Sequence, residues 1–330
     1  MGLGEFMMGW KQSLKEVFRC PKDLLRHLNV DLATLALDIT PEFRLRVPKE
    51  FVDLMEKGNP TDPLLLQVLS SQEELQSYDG FVKDPLDESS FQPIPGVIHK
   101  YKNRVLWVLS GGCAIHCRYC FRRHFPYSHH QWDKNQWKNA LNYLVDHPEI
   151  NEVILSGGDP LMLSDVEIQG VFDRLSLISS VKTIRIHTRL PVVIPKRLTP
   201  LLCRIFDNCN TKLVIVFHIN HPNEIGDELV SSLQSLPSHV VKLNQSVLLK
   251  GINDDANVLA HLSMKLFQQA IMPYYLHQLD PVQGAAHFEV PLARAQCIYR
   301  ELAAAVSGYL LPRWVQELPN QPNKTQITLE

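Results

Sequence analysis

The chain has 330 residues, 45% of them hydrophobic, which is enough for one large core with a smaller attachment and argues against disorder over most of it. Lys and Arg number 33 against 35 Asp and Glu, and the net charge of -2 offers no field suited to nucleic acid or an anionic membrane, so a small-molecule substrate is expected. Apolar runs such as Val192–Ile194 and Leu213–Phe217 fall far short of the roughly 20 residues of a membrane helix. Met1–Trp10 lacks the basic, apolar and small-residue regions of a secretion signal, so a cytoplasmic protein is expected.

From Lys11 to Glu74 apolar residues recur at helical spacing: Leu14, Val17 and Phe18, then Leu24, Leu25 and Leu28, then Phe51, Val52, Leu54 and Met55. This predicts a helical N-terminal cap. Asn59, Pro60, Asp62 and Pro63 interrupt it, and Val82–Pro95, carrying Pro85, Pro93 and Pro95, reads as an extended linker that closes a first division at 1–95.

Beyond Lys100 short β-branched runs alternate with longer helical segments. Strands are expected at Val105–Leu109, Val153–Leu155, Thr183–His187, Leu213–Ile219, Val240–Leu243 and Met272–Leu276. Helices are expected near Gln136–His147, Asp165–Ile178, Lys196–Phe206, Asn223–Leu233, Asp255–Ala270 and Pro291–Val306. Continuous apolar strands separated by helices imply a parallel sheet covered on its outside. Six such units predict an α/β fold of the partial (βα)6 barrel type over 96–310, followed by a C-terminal segment at 311–330. Sites in this architecture sit at the C-terminal ends of strands. Ser110–Gly112, Gly157–Asp159, His187–Arg189, His218–His221, Asn244 and Gln245, and His277–Asp280 fall there.

Seven cysteines make an odd number, and three fall within eight positions as Cys113-Ala-Ile-His-Cys117-Arg-Tyr-Cys120. This suits a metal centre in a reducing compartment better than a disulfide framework. Cys20, Cys203, Cys209 and Cys297 are scattered and read as small hydrophobes or surface thiols. Three thiolates at C-x3-C-x2-C spacing can hold three irons of a [4Fe-4S] cluster and leave the fourth open, whereas an electron-transfer cluster usually takes a fourth Cys. The open iron can bind the amino and carboxylate groups of S-adenosylmethionine (SAM). The competing arrangement is zinc completed by His116, His124, His129 or His130, in a non-enzymatic module docking on a translation factor, although no second ligand pair exists.

The cysteine triplet, Tyr119 beside its last Cys and Ser156-Gly157-Gly158-Asp159 resemble the radical SAM superfamily. From about Arg46 onward the chain further resembles the lysine 2,3-aminomutase family, through Gly58-Asn-Pro-Thr-Asp-Pro, Tyr101-Lys-Asn-Arg104-Val, Cys120-Phe-Arg122-Arg123-His-Phe and Leu155-Ser-Gly-Gly-Asp-Pro. His218-Ile-Asn-His-Pro-Asn-Glu-Ile, Asn244-Gln-Ser-Val-Leu-Leu and Pro273-Tyr-Tyr continue the match. His277-Gln-Leu-Asp-Pro-Val-Gln-Gly-Ala-Ala-His-Phe resembles the branch that supplies β-lysine for modifying elongation factor P.

That resemblance implies an isomerase converting L-lysine to β-lysine by a SAM-initiated radical 1,2-amino shift, with pyridoxal 5'-phosphate (PLP) as second cofactor. It implies a flavodoxin- or ferredoxin-like electron donor and a functional link to elongation factor P and its lysyl ligase. It also implies roles. Cys113, Cys117 and Cys120 hold the cluster, and Tyr119, Ser156, Gly157, Gly158, Asp159, Arg189, His218 and Gln245 contact SAM. Lys324 is the catalytic lysine that forms the PLP imine, and Tyr101, Arg104 and Lys100 hold PLP. Arg122 takes the substrate carboxylate, while Asp280 and Glu317 take its distal ammonium. Paired acids argue against glutamate as substrate, and an aminomutase for another amino acid is the nearest alternative. The stretch Pro319-Asn-Gln-Pro-Asn323 departs from the glycine run that precedes this lysine in better-known relatives, and Lys100 stands where close relatives often carry Arg. The chain ends six residues after Lys324, from which no structural zinc and a monomer or dimer are expected.

Overall fold

A computed structural model describes residues 9–37, 42–127 and 132–328. β1 (Val17–Phe18) and β2 (Val47–Pro48) form a small antiparallel ladder. The main sheet has nine strands: β3 (Val97–Tyr101), β4 (Arg104–Ser110), β5 (Glu152–Gly157), β6 (Thr183–Thr188), β7 (Lys212–His218), β8 (Val241–Val247), β9 (Met272–His277), β10 (Arg313–Gln316) and β11 (Thr325–Gln326). Its spatial order is the sequence order; β4 to β10 run parallel, and β3 and β11 pair antiparallel at the two edges. Among the described residues β3 and β11 do not pair with each other, so the sheet is open.

Helices Lys134–Asp146, Asp165–Ser176, Pro200–Asp207, Asp227–Leu233, Ala256–Gln268 and Leu292–Ala305 make the crossovers between the parallel strands. Their starts are written in the sequence. Asp133 and Asp255 accept backbone N–H groups of the first turn, Thr199 caps the third, and Ser164 with Glu167 forms a reciprocal capping box. On β6, Ile184 and Ile186 are fully buried in the hydrophobic core, while Arg185 and His187 between them line a cavity on the other side. Period-2 alternation thus divides one strand between core and site.

The six expected strands and helices are present. The sheet is wider than expected: β3, β10 and β11 extend it at both edges. Four residues of β10 and two of β11 are too short to show periodicity, and β3 is anchored by pairing with β4. The N-terminal extension is less helical than its periodicity predicts, with short helices Pro21–His27, Lys49–Val52 and Pro63–Leu66 beside the β1/β2 ladder. Asn29 at positive φ ends the first of them. Leu24, Leu25, Phe51, Leu64 and Leu65 join the same apolar cluster as Val105 and Trp107 of β4. Val82–Pro95 is no free linker but a strap: Val82 donates its N–H to Pro281 O (2.9 Å) and accepts that of Gln283 (2.9 Å), and a 3-10 turn follows at Glu88–Phe91. No helix among the described residues is long and apolar enough to cross a membrane.

The cysteine loop lies directly on the end of β5. Gly158 donates its N–H to Ser110 O (2.6 Å) and Asp159 donates to Gly112 O (2.9 Å). A Cβ on Gly157, whose φ is +125°, would lie 2.4 Å from Ser110 O, and one on Gly158 would lie 2.4 Å from Gly112 O. These glycines are therefore set by close backbone approach. Gly158→Ala is expected to cost about 1–3 kcal/mol of stability through overpacking and to lower iron incorporation, checked by denaturant unfolding and iron analysis.

Candidate active site

The C-terminal ends of β4 to β9 surround a cavity of about 560 Å³, and every site residue expected from the sequence lines it. Cys113, Cys117 and Cys120 are free thiols on the loop after β4. The N-terminal segment clamps that loop. Buried Arg118 donates from Nε to Glu74 Oε1 (2.7 Å) and from Nη1 to Phe43 O (2.5 Å), and Arg123 reaches the same Glu74 (2.6 Å).

Burial and the neighbouring Cys117 thiol push Cys120 up to about 11. Burial, Cys120 and Asp159 push Cys113 up as well. Three crowded thiols, of which Cys113 and Cys120 are pushed up, suit the donor chemistry of an iron cluster. Of the four histidines weighed for zinc, His116 and His124 lie among the described residues. His116 Nδ1 is hydrogen-bonded to Arg44 O (2.7 Å) and His124 Nε2 to Gln283 O (3.2 Å). His129 and His130 lie outside the described residues.

Arg189, at the end of β6, donates from Nη1 to Cys117 Sγ (2.7 Å) and to the Tyr119 hydroxyl, and from Nη2 to Gln67 Oε1 (2.7 Å) and Glu224 Oε2 (2.9 Å). Tyr119 also meets His218 Nε2 (2.9 Å), with the rings stacked 5.6 Å apart, and accepts from Asn220 Nδ2 (2.7 Å). Gln245 of β8 is the register partner of His218. The Asp159 carboxylate is engaged within the protein: it accepts N–H bonds from Leu161 (3.0 Å), Arg189 (2.7 Å) and Leu190 (2.8 Å) and the Thr188 hydroxyl. It ties the ends of β5 and β6 together.

At the other end, Glu317 follows β10 and accepts from Lys324 Nζ, the Tyr101 hydroxyl and Lys100 Nζ (3.0 Å). Burial raises its carboxyl, but Lys324, Tyr101 and Lys100 outweigh burial and hold it at about 2. Lys100 also donates to Leu318 O (2.9 Å), and the Arg104 guanidinium stacks 4.1 Å from the centre of the Tyr101 ring. Lys324 lies 5.8 Å from the centre of the Tyr275 ring. An amine flanked by Lys100, Arg104 and the Tyr101 hydroxyl fits a phosphorylated aldehyde: the amine for the carbonyl, the cations for the phosphate.

Arg122 is buried and paired edge-on with Glu88, Nε to Oε2 (2.8 Å) and Nη2 to Oε1 (2.6 Å), while Nη1 reaches Ser156 Oγ (3.0 Å). Asp280, after β9, is in the opposite condition: its Oδ1 has no partner among the described residues. Burial, with Glu317 and Glu88 adding like charge, pushes it up to about 7 against the pull of Lys324 and Lys100. Glu88, Gln67, Asn220 and Glu224 were not foreseen. Asn220 and Glu224 sit inside the His218–Ile225 motif and could have been taken from it, whereas nothing local marks Glu88 or Gln67.

A radical SAM superfamily model matches residues 107–231. L-lysine 2,3-aminomutase of Haemophilus influenzae is 49% identical over 319 residues, covering 96% of this chain and 94% of its own. The Escherichia coli L-lysine 2,3-aminomutase is 48% identical over 325 residues, covering 97% and 95%. That of Clostridium subterminale is 34% identical over 286 residues, covering 86% and 68%. The chain belongs to the lysine 2,3-aminomutase family of radical SAM enzymes. It is therefore an isomerase, and membership implies a [4Fe-4S] cluster and SAM. The open, mostly parallel sheet agrees with the partial barrel expected of this superfamily.

The two acids titrate with opposite signs. Glu317, held below its ordinary range, contributes stability above the unfolded carboxylate range that is lost as pH falls from about 4.5 to about 2. Asp280, raised above its ordinary range, costs stability as pH rises through the interval from about 4 to about 7. Asp280→Asn is thus expected to stabilise the cofactor-free protein at pH 8, by up to about 4 kcal/mol, and to be near neutral at pH 4, measured by denaturant unfolding against pH.

Proposed function

We propose that the chain is an L-lysine 2,3-aminomutase that converts L-lysine to β-lysine with PLP as well as SAM. The observation that carries this reading is the convergence of a buried guanidinium, two acids and a lysine on the cavity that also holds the cysteine loop. When bound, the cluster on Cys113, Cys117 and Cys120 supplies the electron that cleaves SAM to a radical, and PLP on Lys324 supplies the delocalising ring for the migrating nitrogen.

The protein grips the substrate at both ends. Arg122 takes the carboxylate, for which a planar fork is suited. Glu317 and Asp280 take the distal ammonium, and two acids reject a substrate with an anionic or neutral end. Burial holds Asp280 above the usual carboxylate range, so an arriving ammonium favours its charged form. Lys324 gives up its bond to Glu317 as it engages the cofactor, which frees that carboxylate for the ammonium. Tyr101, Arg104 and Lys100 hold the cofactor, and Tyr119, Ser156, Gly157, Gly158, Asp159, Arg189, His218 and Gln245 position SAM, directly or through the ties already described.

The likeness of His277–Phe288 to the elongation factor P branch supports a cytoplasmic role in which β-lysine is supplied to that factor through its lysyl ligase. A flavodoxin- or ferredoxin-like protein would provide electrons. The test is anaerobic reconstitution with iron, sulfide and PLP, followed by reductant, SAM and isotopically labelled L-lysine. Labelled β-lysine is expected by mass spectrometry; 5'-deoxyadenosine without lysine turnover would overturn the substrate. Lys324→Ala is expected to abolish the imine absorption of PLP while SAM cleavage persists, and Asp280→Asn or Glu317→Gln to raise the KM for lysine about tenfold or more.

A further inference from the structure

A guanidinium has two edges that can each take a carboxylate by two parallel N–H bonds: the side edge, Nε with one terminal nitrogen, and the end edge, the two terminal nitrogens. In Arg122 the side edge is filled. Glu88 takes Nε at 2.8 Å and Nη2 at 2.6 Å, with the two side chains only 6% and 11% exposed. On the end edge Nη1 points to Ser156 Oγ (3.0 Å) and Gly157 O (3.4 Å), at the strand end beside the cysteine loop.

Glu88 is itself built into place. The Asp84 carboxylate accepts the N–H groups of Glu88 (3.1 Å) and Ser89 (3.2 Å), and Asp87 sits at φ 52°, a left-handed conformation that aims the following turn. The strap that carries it is laddered at Val82 to Pro281 and Gln283, next to Asp280. A side chain that merely filled a vacant anion site would need none of this.

We propose that Glu88 is the positioning residue of the carboxylate anchor: by holding the side edge of Arg122 it fixes the guanidinium plane, so that the substrate's carboxylate takes the end edge in exchange for the Ser156 hydroxyl. The proposal rests on the reading of Arg122 as that anchor. A free arginine is a long, rotamer-rich side chain, and fixing it before binding spares the substrate that cost. Glu88 also supplies the counter-charge that offsets the burial of the guanidinium. Because the strap is laddered to Pro281 and Gln283, just after Asp280, the carboxylate end and the ammonium end of the substrate site share one mechanical support.

The test uses holoenzyme reconstituted with cluster, SAM and PLP, in wild type, Glu88→Gln, Glu88→Asp and Arg122→Lys forms, with iron content and PLP absorption confirming assembly. Two quantities are read: the KM for L-lysine and the inhibition constant of 1,5-diaminopentane, which keeps both amines and lacks the carboxylate. Glu88→Gln is expected to raise the KM for lysine about tenfold or more with a smaller change in kcat, and to leave diamine inhibition within about twofold. Glu88→Asp keeps the charge but shortens its reach, and is expected to act in the same direction by less; it serves alone if the Gln form does not assemble. An unchanged or lower KM, as expected if the substrate displaces Glu88, overturns the proposal, and so does equal weakening of lysine and diamine. If Arg122→Lys leaves the KM for lysine unchanged, the anchor reading itself fails, and that result is separate from any outcome at Glu88.

Discussion

Buried charge must be neutralised where it sits, because an unpaired ion in a low-dielectric interior costs several kcal/mol. The cavity of this enzyme is organised by that constraint. Arg122 is answered by Glu88, Arg189 by Glu224, Arg185 by Glu152, and Lys100 and Lys324 together by Glu317. The partners come from different parts of the chain, so each pair also joins the N-terminal strap, a strand end or the C-terminal segment to the barrel. Among these cations His187 and His277 are held neutral, by burial first and by Lys324 and other cations nearby. Asp280 Oδ1 has no partner among the described residues, and burial, with Glu317 and Glu88 nearby, raises the group to about 7.

The constraint also explains why the cavity has two unlike ends. Around the cysteines the protein offers thiols, an arginine and a shared hydrogen-bond network that runs through Tyr119, Gln67, His218, Asn220 and Glu224. At the far end it offers an amine, further cations and acids. The glycines after β5 let the cysteine loop lie on the sheet end, and the buried Asp159 carboxylate, fixed by backbone N–H groups, holds the end of β5 to that of β6.

Much of this was legible in the sequence, and what was not has a physical reason. The six strand and helix alternations showed because each apolar run is long enough to display its period. The cysteine loop and the Gly157-Gly158 pair showed because their chemistry is local. Strands β10 and β11, four and two residues long, carry no period of their own and exist through pairing with β9 and with each other. The strap at Val82–Pro95 looked like a linker because its prolines report local backbone, whereas its function lies in Glu88 meeting Arg122 across 34 positions. The site residues assigned by resemblance do share one cavity, but an isolated Lys324 or Glu317 gives no local sign of being paired inside it.

The two resting carboxylate clasps are chemically unlike in a way that bears on the proposed turnover. Glu88 holds Arg122 on the side edge, so a second carboxylate can be accommodated without breaking the first pair. Glu317 holds the ammonium of Lys324, the same group that a lysine substrate carries at its distal end. Binding there must be an exchange of one ammonium for another on a carboxylate already held near 2, and it therefore needs no new ionisation. Asp280, raised by burial, would gain from the same cation in the proposed reading. In the proposed turnover the Lys324–Glu317 pair is therefore the one that is exchanged, while Glu88 keeps its hold on Arg122 and the strand ends are left as they are.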